Sequence, residues 1–164
     1  MNDIEELKKA CEAIRSSIYE TFDRLLLILD GKESGETASL PAERVYPLTT
    51  DTNTFIGQKS AAVLFGEERA SADNWRKVFA AIMSKCNANA ECHDNLMYLR
   101  GKVAGRERIL LSHSPDGMRR PLKIDEDMYA EACYGTATLL YILRDRILAP
   151  AHFDYSDISI VIRN

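Results

Sequence analysis

An apolar stripe near the start of the chain constrains the fold more than any other feature of the sequence. Apolar or small side chains recur there at alternating spacings of three and four, at Ile4, Leu7, Cys11, Ile14, Ile18, Thr21, Leu25 and Ile28. These spacings are the heptad pattern of a helix that packs against another helix. The pattern predicts a helix from about Asp3 to Asp30, capped by Asn2 or Asp3 and ended by Gly31.

The stripe also predicts self-association, because no other long segment of the chain obviously covers it. It widens at Phe22, Leu26 and Leu29, which favours an intertwined or bundle-like dimer over a simple two-stranded coiled coil. The alternative is an amphipathic helix that packs on its own domain without any partner.

A polar stretch separates this helix from the rest of the chain. Gly, Ser, Glu, Thr and Ala predominate in it, and two prolines interrupt any helix. We therefore expect a linker over 31–53, from which Val45, Tyr46 and Leu48 dock as an extended segment. A globular domain is then expected over 54–164.

The first part of that domain alternates between strand and helix patterns. An apolar run at 61–65 predicts a strand that enters a turn. A helix capped by Ser71 or Asp73 follows, and its apolar stripe is Trp75, Val78, Phe79, Ile82, Met83 and Cys86. A second helix over about 90–102 comes after a break at 87–89.

The next part is expected to form a β-hairpin. Strand patterns cover 108–112 and 121–124, and the segment between them contains Pro115-Asp116-Gly117. Proline and glycine in this order favour a tight turn, because proline presets φ and glycine accepts positive φ. The two strands are therefore predicted to pair with each other.

The last part of the chain contains a long helical pattern and a strand pattern. Asp125 is expected to cap a helix over about 126–148, in which Gly135 marks a kink or a close approach of another backbone. A β-branched run at 158–162 predicts a closing strand. The sequence thus predicts an α+β fold, with a long N-terminal helix and a small, mostly antiparallel sheet packed on three helices.

Charge is distributed unevenly along the chain. The net charge of -4 and the pI near 5.4 exclude a general polycation. Positive charge is concentrated at Arg100, Lys102, Arg106, Arg108, Arg119, Arg120 and Lys123. Arginine suits both phosphate and guanine, so basic arms on a hairpin of a homodimer predict duplex DNA as a partner. One alternative is that these cations pair with the acidic segments before and after them, within the chain or between subunits. Another is an adaptor protein, in which the first helix and the basic segment both contact proteins and no nucleic acid is bound.

Other motifs carry weaker signals. Gly101–Arg106 lacks the spacing of a phosphate loop, so it predicts a helix cap and a turn. Cys86, Cys92 and His93, with Cys133 or His113, are too widely spaced for an ordinary zinc site, and we expect no metal and no cofactor. Residues 113–116 contain His, Ser and Asp, but adjacency in a turn does not make a catalytic triad, so no catalytic residue is predicted.

The chain is expected to reside in the cytoplasm. It begins without the basic and apolar regions of a signal peptide, and no run is long and apolar enough to span a membrane. In such a location the four cysteines are expected to be reduced thiols.

Several short segments are similar to segments of small bacterial proteins of the mobile-element and prophage type. These are Trp75-Arg76-Lys77-Val78, Gly105-Arg106-Glu107-Arg108, Pro115-Asp116-Gly117-Met118-Arg119 and Asp154-Tyr155-Ser156-Asp157-Ile158. The resemblance covers about two thirds of the chain, from near Thr54 onward. It implies a small bacterial protein, and it supplies no activity and no functional residues to transfer to this sequence.

Overall fold

The computed structural model describes Asp3–Asp30 and residues 42–164. The chain divides into two compact units, Met1–Leu40 and Pro41–Asn164. The first unit contains the predicted helix, α1, which spans Asp3–Asp30. Ile14 and Ile18 of its stripe are 61% and 62% exposed, and Ile4, Leu7, Cys11 and Leu25 are exposed as well. The side chain of Ile28 and the expected stop at Gly31 lie outside the described residues.

The globular unit contains a four-stranded antiparallel sheet. Its strands are β1 (Glu43–Pro47), β2 (Lys59–Phe65), β3 (Glu68–Ser71) and β7 (Ile158–Arg163). The order across the sheet is β1-β7-β2-β3, so the last strand of the sequence pairs with both β1 and β2. The strands predicted at 61–65 and 158–162 are therefore confirmed.

The boundary expected between linker and domain differs from the structure. Within the expected linker 31–53, residues 31–41 lie outside the described part, while β1 is an edge strand of the sheet. The segment docks because Tyr46 and Leu48 pack on the core, and the Leu48 N–H donates to the carbonyl of Ile158 at 2.9 Å. A 3-10 turn at Thr52–Phe55 then buries Phe55 against Trp75. Apolar side chains at alternating positions thus outweigh the polar composition of this stretch.

Two helices follow β3. Helix α2 spans Trp75–Ala88 and buries the predicted stripe from Val78 to Cys86, while α3 spans Ala90–Leu99. The cap of α2 is Asn74, whose side chain accepts from the Lys77 N–H at 2.9 Å, and neither Ser71 nor Asp73 takes that place. Asn89 ends α2 and caps α3, which explains why the two helices are separated by one residue.

A second, three-stranded sheet overturns the predicted hairpin. Its strands are β4 (Leu111–Ser112), β5 (Pro121–Asp125) and β6 (Met128–Glu131), in the order β4-β6-β5. Strands β4 and β5 therefore do not pair with each other, because β6 lies between them and pairs with both. The true hairpin is β5–β6, joined by a turn at 126–127.

The predicted helix over 126–148 was wrong in its first part. Residues 128–131 form β6, with Met128, Ala130 and Glu131 buried, and α4 begins only at Thr136. Gly135 is the N-cap of α4 and not an interior kink, while Asp125 ends β5. Helix α4 spans Thr136–Tyr141 and continues as a π-helix over Ile142–Leu148. The apolar residues of β6 fit a helix as well as a strand, and Gly135 lies between β6 and α4 where the sequence predicts one continuous helix.

The α+β class is confirmed, with the antiparallel strands divided between two sheets. Helix α2 contacts β2 of the first sheet and β5 of the second, so it links both sheets to one core. The π-helix contributes Leu143 and Ile147 to this core, and β7 contributes Ile160. None of the helices in the described ranges combines the length and the apolar character needed to cross a membrane.

Candidate functional site

The seven basic residues of the sequence prediction occupy the end of α3, the turn before β4, the loop before β5, and β5 itself. Their surroundings divide them into two groups. Five of them are exposed, namely Lys102, Arg106, Arg119, Arg120 and Lys123. Arg100 and Arg108 are partly buried, so the structure does not offer all seven to a ligand in the same way.

Arg100 and Arg108 hold the second sheet in place. The Arg100 guanidinium donates from Nη1 to the carbonyl of Asp127 at 2.6 Å, which joins the end of α3 to the β5–β6 turn. Arg108 lies 3.6 Å from the carboxylate of Glu131, and its side chain is only 18% exposed. Since both guanidinium groups already contact this chain, we assign them to the fold and not to the free basic surface.

Glu131 is the residue that organises the loop between β4 and β5, residues 113–120, which we call the basic loop. Its side chain is fully buried, and its carboxylate accepts main-chain hydrogen bonds from Arg119 at 2.7 Å, Arg120 at 3.0 Å and Cys133 at 3.0 Å. Burial by itself would raise the pKa of Glu131. The three N–H donors and Arg108 outweigh burial and hold the pKa below its usual value. Glu131 is therefore a buried carboxylate ion that fixes the backbone of the loop.

The sequence does not predict the role of Glu131. The only signal was a single carboxylate inside an apolar run, Met128-Tyr129-Ala130-Glu131-Ala132, which resembled the polar side of a helix. Charged residues are almost never fully buried unless they are paired. A glutamate in such a run therefore indicates a set of donors elsewhere in the chain.

Arg119 and Arg120 present the clearest candidate binding surface. Their main-chain N–H groups are tied to Glu131, and Arg76 of α2 donates to the carbonyls of Arg120 at 3.2 Å and Pro121 at 2.7 Å. Their side chains are exposed, and within residues 42–164 neither guanidinium takes part in a hydrogen bond or an ion pair with a side chain. The backbone is thus fixed while two adjacent cations stay available to anions.

The remaining exposed cations have different surroundings. Lys102 Nζ lies 3.2 Å from the ring centroid of Tyr98, a cation–π contact that leaves both side chains exposed. Gly101, which precedes Lys102, has a φ of 74°, so the predicted helix cap and turn are confirmed. Lys123 is exposed on β5, where its strand partner is Tyr129.

The cysteine and histidine motif has a structural explanation. Cys86 and Cys92 are buried, and burial raises the pKa of the Cys86 thiol to about 12. His93 Nδ1 lies 2.7 Å from Asn87 Oδ1, and the Asn87 amide donates to Asp125 at 3.0 Å. Among the residues that the structure describes, no three or more His, Cys, Asp or Glu side chains come together as a metal site.

Comparison of the chain with protein-family models, with curated proteins and with solved structures found no match. The fold and the site together define an α+β protein with a basic loop whose backbone is hydrogen-bonded to a buried carboxylate. Arg119 and Arg120 are the exposed cations of that loop.

Proposed function

We propose that this protein is a non-enzymatic factor that binds duplex DNA in an accessory or regulatory role. The observation that carries the proposal is the exposed pair Arg119 and Arg120, whose backbone is fixed by the buried carboxylate of Glu131. A fixed backbone lowers the entropy lost when the two side chains bind phosphates. The cytoplasm, where DNA of bacteria and of their mobile elements is accessible, is part of this proposal.

The arrangement of the cations favours contacts to the phosphate backbone. Because β4 and β5 are separated by β6, the cations do not form the two arms of a single ribbon that could enter a groove. Arg119, Arg120 and Lys123 lie instead on a loop and on the strand that directly follows it. We therefore expect binding that depends weakly on DNA sequence and strongly on salt.

Self-association through α1 is the second part of the proposal. Ile14 and Ile18 are more than half exposed, and Tyr19 and Phe22 extend the same apolar face. Full burial of one such side chain contributes about 1.5–3 kcal/mol, so a heptad stripe paired with a second copy provides a substantial driving force. Two basic loops in one dimer also raise the affinity for DNA through effective concentration.

The DNA proposal is tested by fluorescence anisotropy with a labelled duplex. At about 50 mM salt, where phosphate contacts are strong, the wild type should bind, and Arg119→Ala with Arg120→Ala should weaken binding by about tenfold or more. The salt slope should also fall, by about one for each phosphate contact removed. The matched control is Arg44→Ala with Lys59→Ala, two exposed cations of the four-stranded sheet. No binding by the wild type, or equal losses in both double variants, would reject the proposal.

The dimer is tested by light scattering on the full chain. Ile14→Lys with Ile18→Lys places two charges on the apolar stripe and should convert a dimer to a monomer. Ala13→Lys with Ser16→Lys adds the same charge away from the stripe and should leave the mass unchanged. A wild type that is monomeric at micromolar concentration would show that self-association is wrong.

The apolar face of α1 also favours a second candidate function, an adaptor that contacts another protein. Exposed apolar patches of this kind mark interaction surfaces, whether or not the partner is a second copy. In that case Ile14→Lys with Ile18→Lys abolishes binding to the other protein, while the wild type is monomeric and does not bind DNA. A wild type that forms a dimer and binds DNA in the two experiments above supports the DNA-binding factor, whereas a monomeric wild type without DNA binding favours the adaptor.

A further inference from the structure

A cavity in the globular unit is not explained by the fold or by the proposed DNA contacts. It has a volume of about 600 Å³ and lies between the turn that precedes β4 and the segment from Tyr134 to Arg146. Pockets for small molecules have volumes of about 300–1,000 Å³, so a ligand of nucleotide size fits. Arg119 and Arg120 do not line this cavity.

The charge of the lining favours an anion. Arg106 and Arg146 both line the cavity, and no carboxylate does. Arg146 donates from Nη2 to the carbonyl of Ala104 at 2.9 Å, which holds its guanidinium at the wall. Within residues 42–164, Arg106 takes part in no side-chain hydrogen bond or ion pair. Two guanidinium groups without an acidic partner among residues 42–164 match the charge of a phosphate group, and a guanidinium can donate two parallel hydrogen bonds to phosphate oxygens.

The rest of the lining favours a planar ring. Tyr134 and Tyr141 line the cavity together with the apolar side chains of Leu110 and Ile142. Aromatic and aliphatic walls of this kind bind flat heterocycles by stacking and by burial of apolar area. One end of the ligand is thus expected to be charged and the other end planar.

Gly105 keeps the wall of the cavity open. A Cβ at this position would lie 3.2 Å from Leu110 Cδ2 and 3.3 Å from the hydroxyl oxygen of Tyr134. Both distances are shorter than ordinary van der Waals contact, so any larger residue would push these two lining side chains. The lack of a side chain at Gly105 therefore leaves room for Leu110 and Tyr134 beside the cavity, and no unusual φ is involved.

We propose that this cavity binds a nucleoside phosphate, with the phosphate on Arg106 and Arg146 and the base against Tyr134 and Tyr141. This inference goes beyond the DNA proposal and does not depend on it. Arg106 belongs to both sets of residues. Arg146, Tyr134 and Tyr141 belong only to the cavity.

Isothermal titration calorimetry on the full chain tests the proposal. The probes are adenosine, guanosine, cytidine and uridine 5′-monophosphates, the four parent nucleosides, and inorganic phosphate. At least one monophosphate should bind with a Kd of about 100 µM or tighter, and its nucleoside and inorganic phosphate should each bind at least about tenfold more weakly. If no monophosphate binds, or if phosphate alone binds as tightly, the proposal is overturned.

Variants locate the site. Arg106→Ala removes an exposed side chain and should weaken monophosphate binding by about tenfold, with little effect on the nucleoside. Tyr141→Ala should remove the advantage of the monophosphate over inorganic phosphate, whereas Tyr141→Phe should retain it. The matched control is Arg44→Ala, an exposed arginine on the other sheet. Binding that is unchanged in Arg106→Ala and Tyr141→Ala would place the ligand elsewhere and overturn the proposal.

Discussion

Replacing Glu131 with glutamine removes a charge while keeping the shape of the side chain. In the native protein, Oε1 accepts from the N–H groups of Arg120 and Cys133, and Oε2 accepts from the N–H of Arg119 and faces Arg108. An amide has only one oxygen. Its NH₂ group must therefore point at donors of this chain, whichever way the amide is turned.

The cost of Glu131→Gln follows from these contacts. Loss of a hydrogen bond to a charged acceptor costs about 1.5–3 kcal/mol, and a buried N–H left without an acceptor costs about 1–3 kcal/mol. Because the amide relaxes partly, we expect the free energy of unfolding to fall by about 3 kcal/mol. With an m-value of about 1.5 kcal/mol/M in urea, the unfolding midpoint then falls by about 2 M.

Urea unfolding followed by circular dichroism measures this change. Glu67→Gln, an exposed glutamate in the β2–β3 turn, is the control and should shift the midpoint very little. A loss of less than about 1 kcal/mol in Glu131→Gln at neutral pH would refute the argument. It would mean that the three donors find other acceptors and that the loop backbone is not fixed by Glu131.

Three further predictions concern stability. The pKa of Glu131 is lowered in the folded protein, so its carboxylate adds its full contribution to the free energy of unfolding above the unfolded pKa of about 4.3. This contribution is lost as pH falls through the folded pKa. When unfolding is measured between neutral and acid pH, the free energy of unfolding should therefore change less with pH in Glu131→Gln than in the wild type. Asn89→Ala removes the acceptor for the Cys92 N–H and should lower the free energy of unfolding by about 1 kcal/mol, measured by thermal unfolding. Asn89→Asp keeps a side-chain acceptor and should retain most of the wild-type stability. Arg144→Met removes a 3.0 Å bond to the Thr50 carbonyl and should cost about 1–2 kcal/mol in urea, whereas Arg44→Met should cost almost nothing.

The sequence correctly predicts those helices and strands whose type is determined by their own residues and not by distant ones. The apolar stripe that begins at Trp75 fits only a helix, because its spacing of three and four residues continues for longer than an ordinary strand. The β-branched run that became β7 was equally clear. In both cases the apolar side chains themselves determine which face is buried.

The three-stranded sheet could not be predicted in this way. The segment 128–131 is a strand because its backbone pairs with β4 and β5, and its Glu131 accepts from N–H groups of Arg119 and Arg120, which are more than ten residues away. Without those partners, its apolar residues fit a helix as well as a strand. The predicted hairpin of β4 and β5 is wrong for the same reason, since the strand that lies between them has a sequence pattern that also fits a helix.

The candidate site was predictable by residue type but not by geometry. The sequence indicates that Arg119 and Arg120 belong to a basic segment, yet it does not show that Arg100 and Arg108 are occupied by internal contacts. The cavity was entirely hidden, because Tyr134 and Arg146 meet the turn before β4 only through tertiary folding. Side chains that converge from distant segments leave no periodic signal.

The position of β7 between β1 and β2 has a consequence for folding during synthesis. Neither of those earlier strands can complete its ladder until residues 158–163 have left the ribosome, since β7 is their shared partner. Until then β1 and one edge of β2 carry unpaired backbone groups, which makes the nascent chain prone to aggregation. Contacts this far apart in sequence also slow folding, so the unpaired strands stay exposed until residues 158–163 are available.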